Sequence, residues 1–290
     1  MIKQRGNALG LWILYTFFKI FGYPGLRFLL IFVVLYFSLT SPDVKNALKK
    51  YYLLVNGKFN FFIYYRHLFH YALVHSDRFL TARFPERFTV EVPDIGTYLK
   101  LKSEGVIFLF SHAGDWTTCA LIPGNEVAPI HIVKQETIEE SIRRFEDEMR
   151  QQSQKELRVI DLSEGPHAVA VKIAAALGKK ENVAMMTDRV INPKKSARVT
   201  LFGQKVFINK NPFEIAYNRD LPLIAIFSFR KKDYHYRLHV LKITPFDRNL
   251  SKEEAIALAA QEYATLLENL LHEHPEEWFN HYDFFATIPS

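Results

Sequence analysis

Residues 111–119, Ser-His-Ala-Gly-Asp-Trp-Thr-Thr-Cys, place a histidine and an aspartate directly after an apolar run. An imidazole suits the role of general base near neutral pH. Ala113 and Gly114 leave room for a substrate beside His112. A second polar group, Thr187-Asp188-Arg189, follows another apolar run. Ligands of open α/β sheets collect at the carboxyl ends of strands, so both groups are candidate site residues, although a lone histidine can also be structural.

The residue types around His112 favour acid–base chemistry over nucleophilic catalysis. The sequence contains no Gly-x-Ser-x-Gly motif, and its one cysteine, Cys119, falls in a predicted helix. One cysteine allows neither an intrachain disulfide nor a thiolate metal cluster, which indicates a reducing compartment. Acyl transfer by direct attack of an acceptor hydroxyl needs a base, a carboxylate that orients the imidazole, and donors for the oxyanion.

From about residue 88 onwards, short apolar runs alternate with helical stretches, a pattern that predicts an α/β domain with a mixed sheet flanked by helices. The segment from Trp116 is predicted to begin a helix. The predicted strands, including a hairpin, are 88–92, 106–110, 129–133, 158–162, 182–188, 197–202 with 205–208, 222–229 and 234–243. Further helices are predicted at 95–102, 138–152, 167–177, 212–219 and 251–272.

The first 42 residues read as a membrane anchor. Two apolar runs, 9–21 and 28–39, are separated by Gly-Tyr-Pro-Gly. Each is shorter than the ~20 residues of a span, so together they predict one kinked span or a helical pair within one leaflet. Basic residues flank both sides, which fits monotopic attachment; a buried core hairpin is the alternative. We therefore predict an anchor over 1–42 and a catalytic domain over 43–290.

Residues 44–85 predict one or two amphipathic helices, suited either to a headgroup zone or to an ordinary core. The 49% hydrophobic content excludes disorder, and the net charge of +6 suggests an anionic partner. Nucleic acid is not expected, because the chain has no recognisable nucleic-acid-binding element and begins with an apolar segment.

Five motifs carry a resemblance to a known family: R-G-N at 5–7, S-H-x-G-x-W at 111–116, T-D-R at 187–189, L-F-G-Q-K-V-F at 201–207 and H-P-E-E-W-F-N-H-Y-D-F-F at 274–285. With these motifs the chain resembles the late acyltransferases of lipid A biosynthesis, a family with relatives that act on other glycolipids and on aryl-polyene-type lipids. The resemblance implies transfer of a fatty acyl group from an acyl carrier protein or coenzyme A thioester to a membrane-lipid hydroxyl. It implies the cytoplasmic face of the bacterial inner membrane, no metal and no bound cofactor. We expect a monomer.

The resemblance assigns His112 as the base, but the orienting acid departs from the family pattern. Relatives carry Asp or Glu five positions after the histidine, where this chain has Thr117. We favour Asp115 as a displaced orienting carboxylate. Alternatively, Asp188 approaches from the neighbouring strand end. A third reading is a broken dyad in a catalytically weak or silent homologue that binds lipid or scaffolds a biosynthetic complex.

The remaining candidates are substrate-binding residues: Ser111, Gly114, Thr117, Lys134 and Arg189. Lys134 follows a predicted strand where relatives often carry Arg, which suggests a phosphate or pantetheine contact or else an ordinary surface lysine. The basic stretch after Asp188 either docks an acidic carrier or headgroup or is simply solvated. In the C-terminal motif we expect Asn280, Tyr282 and their aromatic neighbours to close the core rather than to take part in catalysis.

Overall fold

The computed structural model describes residues 8–93, 105–121, 128–135, 157–190 and 193–286. The described strands are β1 (Thr89–Glu91), β2 (Ile107–Phe110), β3 (Ile130–Lys134), β4 (Leu157–Asp161), β5 (Asn182–Met186), β6 (Ser196–Leu201), β7 (Gln204–Asn209), β8 (Leu223–Lys232) and β9 (His235–Lys242). The described helices are α1 (Ala8–Thr40), α2 (Pro42–Asn56), α3 (Phe61–Arg83), α4 (Pro166–Gly178), α5 (Asn211–Arg219) and α6 (Lys252–Glu273).

Seven strands form one mixed sheet in the order β1-β9-β8-β2-β5-β3-β4, and β6 and β7 form a separate antiparallel hairpin. Neighbouring strands of the large sheet are parallel except β8 and β9. The predicted α/β class with a mixed sheet is therefore confirmed. The predicted helices at 95–102 and 138–152 lie outside the described residues.

The central strand β2 is buried on both faces, as its uninterrupted apolar sequence indicates. Alternate side chains enter two different cores: Ile107 and Leu109 join the larger one, and Phe108 and Phe110 the smaller one. Because both faces of β2 are packed, the end of the strand at Phe110 is held in place, and the chain leaves the sheet there.

The carboxyl ends of β2 and β5 lie side by side. Phe110 is opposite Met186 in the parallel register, and the amide of Thr187 donates to the carbonyl of Phe110 at 2.8 Å. The residues that follow each strand, including His112 and Asp188, therefore emerge at the same edge of the sheet.

Two helices, α2 and α3, account for residues 44–85, and α3 runs close to that edge. Gly57, in the left-handed region with φ 70°, ends α2, and the side chain of Asn60 caps α3 by accepting from the amide of Ile63 at 2.8 Å. His67 and Asp77 of α3 are fully buried. That face of α3 therefore belongs to the protein interior, as the core alternative predicts, and not to a headgroup zone.

The N-terminal apolar segment is a single helical element that bends at Gly22, where φ is 62° and ψ −154°. Its residues Trp12–Thr40 are long and apolar enough to cross a membrane, which makes α1 a candidate membrane anchor. Phe18, Tyr23, Leu26 and Leu30 of α1 are nevertheless buried against the rest of the protein. The division of the chain at residue 42 stays a prediction.

Candidate active site

The imidazole of His112 contacts a buried carboxylate from the neighbouring strand end. Its Nδ1 lies 3.0 Å from Oδ1 of Asp188, and its backbone amide donates to Oδ2 of the same residue at 2.8 Å. Asp188 is buried, whereas about 32% of the His112 side chain is exposed. A neutral ring that donates Nδ1–H to Asp188 keeps its lone pair on Nε2, the tautomer that a general base requires.

The charge state of Asp188 follows from its surroundings. Burial raises the pKa of Asp188, but the positive charge and hydrogen bonds of His112, together with a hydrogen bond from Asn280, outweigh it, so the pKa lies below the ordinary value of 3.8. Nδ2 of Asn280 donates to Oδ2 at 2.8 Å, and Oη of Tyr282 donates to the Asp188 carbonyl at 2.9 Å. Asp188 is therefore an ionised carboxylate whose position is fixed from several directions.

Asp115 does not contact the His112 ring, which the sequence analysis favoured it to orient. Its buried Oδ1 accepts from Nε of Arg78 at 3.1 Å and from the amide and Oγ1 of Thr117 at 3.1 and 2.7 Å. These contacts tie the turn after β2 to α3. The prediction that Asp115 holds the His112 ring is wrong because the partner of Nδ1 is Asp188, the second of the sequence-based alternatives.

Two other predicted substrate contacts are already occupied by the protein. Gly114 has φ +72°, and a Cβ at this position would lie 2.2 Å from the Ser228 carbonyl oxygen. Its amide donates to the carbonyl of Glu277 at 2.8 Å. Thr117 is buried, with its hydroxyl donating to Asp115. Gly114 therefore permits close packing between β8 and the C-terminal segment rather than clearing space for a substrate, and the Thr117 hydroxyl is not available to a ligand.

The remaining predicted contacts lie near the same edge. Ser111 is buried and its Oγ accepts from the amide of Ala113 at 3.3 Å. Lys134 ends β3, the strand next to β5. The guanidinium of Arg189 lies 4.3 Å from the ring centroid of Tyr282, and its buried Nε has no hydrogen-bond partner among the described residues.

The segment after α6 contributes more to the site than sequence reasoning assigned to it. The amide of Phe279 donates to the His112 carbonyl at 2.7 Å, and the next residue, Ala113, forms an antiparallel bridge with Trp278. Asn280 and Tyr282, which we expected only to close the core, hold Asp188. The sequence signal for this role is that the side chains of Asn280 and Tyr282 can form hydrogen bonds, although they stand among the aromatic residues of the C-terminal motif.

A second imidazole lies near His112. The ring of His281 contacts the ring of Tyr71 at 4.6 Å between centroids. Burial, followed by the positive charges of His112 and Arg189, lowers the pKa of His281 to about 4. His281 is therefore neutral at physiological pH and adds no charge beside His112.

Comparison with known proteins identifies the family to which the chain belongs. No curated protein sequence matches the chain. A family model described as bacterial lipid A biosynthesis acyltransferase matches residues 59–281. The match covers most of the chain, including α3, His112, Asp188 and Asn280, and ends one residue before Tyr282. The protein therefore belongs to the bacterial lipid A biosynthesis acyltransferase family.

Proposed function

We propose that this protein transfers a fatty acyl group from an acyl carrier protein or coenzyme A thioester to a hydroxyl of a lipid A-like, glycolipid or polyene lipid acceptor. The observation that carries the proposal is the 3.0 Å contact between Nδ1 of His112 and the ionised, buried Asp188. Family membership supports the reaction class, acyl transfer to a lipid acceptor.

In this mechanism Nε2 of His112 removes the proton of the acceptor hydroxyl while the hydroxyl oxygen attacks the thioester carbonyl. The imidazolium that forms is stabilised by Asp188 through Nδ1–H. Collapse of the tetrahedral intermediate breaks the carbon–sulfur bond, and the imidazolium returns its proton to the leaving thiolate. The acyl ester and the free thiol are the products, and the enzyme regains its starting protonation state.

Asp188 supplies the carboxylate that Thr117 cannot. The acid comes from the end of β5 rather than from the turn that bears His112, and three groups fix it: His112, Asn280 and Tyr282. Thr117 then serves a structural role as a hydrogen-bond donor to Asp115. The presence of Thr117 at the usual acid position is the observation that favours the second candidate, a weak or silent homologue that binds lipid.

Lys134 and Arg189 are our candidates for contacts with anionic parts of the substrates. Both lie at the sheet edge that bears His112, and the Arg189 side chain is half-buried there. The donors considered, carrier-bound and coenzyme A thioesters, both carry a phosphopantetheine phosphate. We place the reaction at the cytoplasmic face of the bacterial inner membrane, without a metal and with the protein as a monomer.

The test is an acyl-transfer assay on detergent-purified protein, with labelled carrier and coenzyme A thioesters and a panel of lipid acceptors. His112→Gln should lower turnover by at least about 10³-fold while leaving a measurable residual rate, whereas His167→Gln, which alters an exposed histidine of α4, should leave it unchanged. Absence of turnover by the wild-type protein with every donor and acceptor would favour the silent homologue instead.

A further inference from the structure

Large apolar side chains on the surface are concentrated in the first part of the chain. Of fifteen such exposed residues in the described part, thirteen lie between positions 12 and 62. Ten are on α1 and three are on α2 and α3: Trp12, Ile20, Phe21, Phe28, Ile31, Phe32, Val33, Leu35, Tyr36 and Leu39, with Leu53, Phe61 and Phe62. We call these thirteen residues the apolar face. A patch of this size marks an interaction surface rather than ordinary surface variation.

The opposite side of α1 packs against the rest of the protein. Phe18, Tyr23, Leu26 and Leu30 pack with α3 and with β9, and Val34 belongs to the main core. The buried positions occur on both sides of the bend at Gly22. The helix therefore contacts the protein along most of its length, and only its outer half is available to lipid.

Polar contacts reinforce this attachment just beyond the bend. Oη of Tyr23 donates to the buried carboxylate of Asp77 on α3, which also accepts from Nε of Arg230 at 2.6 Å. Nη2 of Arg27 lies 2.6 Å from Oδ1 of Asp233, which follows β8. For α1 to enter a bilayer by itself, these contacts would have to break, and Asp77 would lose one of its donors in a buried place.

The lengths of the two arms of α1 lead to the same conclusion. Residues 8–21, before Gly22, are shorter than the ~20 residues that cross a hydrocarbon core, and residues 23–40, after it, reach only the lower end of the spanning range. If α1 crossed as one unit while still attached, the polar residues of α3 and β8 that it contacts would enter the bilayer with it. Exposed lysines of α2 and the following loop, Lys45, Lys49 and Lys58, suit contact with lipid phosphates instead.

We propose that α1 lies in the plane of the membrane surface, with the apolar face inserted among lipid acyl chains and the whole protein on one side of the bilayer. The helix α3 then connects membrane and site. Its residues Tyr65 and Phe69 contact α1 or its neighbours, whereas Arg78 binds Asp115 in the turn that bears His112 and Tyr71 contacts His281 of the C-terminal segment. An acceptor lipid would thus reach the base from the surface on which α1 rests. The inference rests on the proposed membrane location but not on turnover.

Cysteine labelling tests the orientation. In a Cys119→Ser background, single cysteines are introduced at Trp12 and Thr40, near the two ends of α1, and at Lys232, at the end of β8. A membrane-impermeant maleimide is applied to spheroplasts, to inverted vesicles and to detergent-solubilised samples of a bacterial host. In-plane binding predicts that no α1 cysteine reacts from the side opposite to Lys232→Cys. Reaction of either α1 position from the opposite side would mean that α1 crosses, and would overturn the proposal.

Vesicle binding tests the apolar face itself. The combined change Phe28→Ser, Phe32→Ser and Tyr36→Ser should reduce cosedimentation with phosphatidylethanolamine and phosphatidylglycerol vesicles by about tenfold or more. The matched control is Val171→Ser with Leu258→Ser, two apolar residues that are 55% and 60% exposed but lie outside the apolar face. Equal binding by both variants, or no binding by the wild type, would overturn the proposal. Vesicle binding does not depend on turnover, so the acyl-transfer assay in detergent tests the proposed function independently of either result.

Discussion

Replacing Asp188 by asparagine removes the negative charge next to the base while preserving the size of the side chain. During attack the imidazolium of His112 is an ion pair with Asp188, with Nδ1 3.0 Å from Oδ1. For charge centres about 4 Å apart and an effective dielectric constant of about 20, the lost attraction is about 4 kcal/mol. That value corresponds to a decrease of about 10³-fold in rate. The amide nitrogen of asparagine can also stabilise the wrong imidazole tautomer, which adds to the loss.

The assay is the initial rate of labelled acyl transfer, measured beside Asp115→Asn as a matched carboxylate control. Because Asp115 binds Arg78 and Thr117 rather than the ring, its substitution should lower the melting temperature and leave the rate within about tenfold of wild type at a temperature where the variant is folded. Acyl transfer by folded Asp188→Asn within tenfold of the wild-type rate, or a slower rate for folded Asp115→Asn than for Asp188→Asn, would refute the role of Asp188 as the partner of His112.

Three further predictions concern the support of the site. Asn280→Ala removes one hydrogen bond to ionised Asp188, worth about 1.5 kcal/mol, so turnover should fall about tenfold in the same assay. Gly114→Ala should destabilise by at least about 2 kcal/mol in thermal unfolding because its Cβ meets the Ser228 carbonyl, whereas Gly203→Ala, at φ +71° with open space, should cost only about 1–2 kcal/mol. The depressed pKa of Asp188 means that its contribution to stability is fully present above pH 3.8 and is lost as the pH falls through its lower folded-state value. The difference in unfolding free energy between wild type and Asp188→Asn should therefore shrink as the pH falls below 3.8; a difference that grows there would contradict the assignment.

The sequence was sufficient to predict the sheet and to place His112 at the end of a buried strand, because both depend on local patterns. The run before Ser111 is apolar at every position and is followed by small residues, which identifies β2 and the turn bearing His112. The run 183–186 before Thr187 is also apolar at every position, which identifies β5. A helix does begin at Trp116 as predicted, and over residues Trp116–Leu121 it is a 3₁₀ helix.

The partner of His112 could not be selected from sequence distance. Asp115 is three residues away in the chain but turns toward α3, whereas Asp188 is brought beside the ring only by the parallel pairing of β2 with β5. That pairing depends on strand order, which one sequence does not specify. The contact of Asn280 with Asp188 also depends on long-range packing that one sequence does not specify. It forms because the C-terminal segment packs across the turn at His112 and Ala113.

A double-mutant cycle on acyl transfer by wild type, His112→Gln, Asp188→Asn and the double variant tests the central claim most directly. If Asp188 acts through the imidazole, the double variant should be no more than about tenfold slower than His112→Gln alone, because a base and its orienting acid work as one unit. Multiplication of the two single effects, or near-wild-type turnover by folded His112→Gln, would contradict the claim that this pair carries the chemistry.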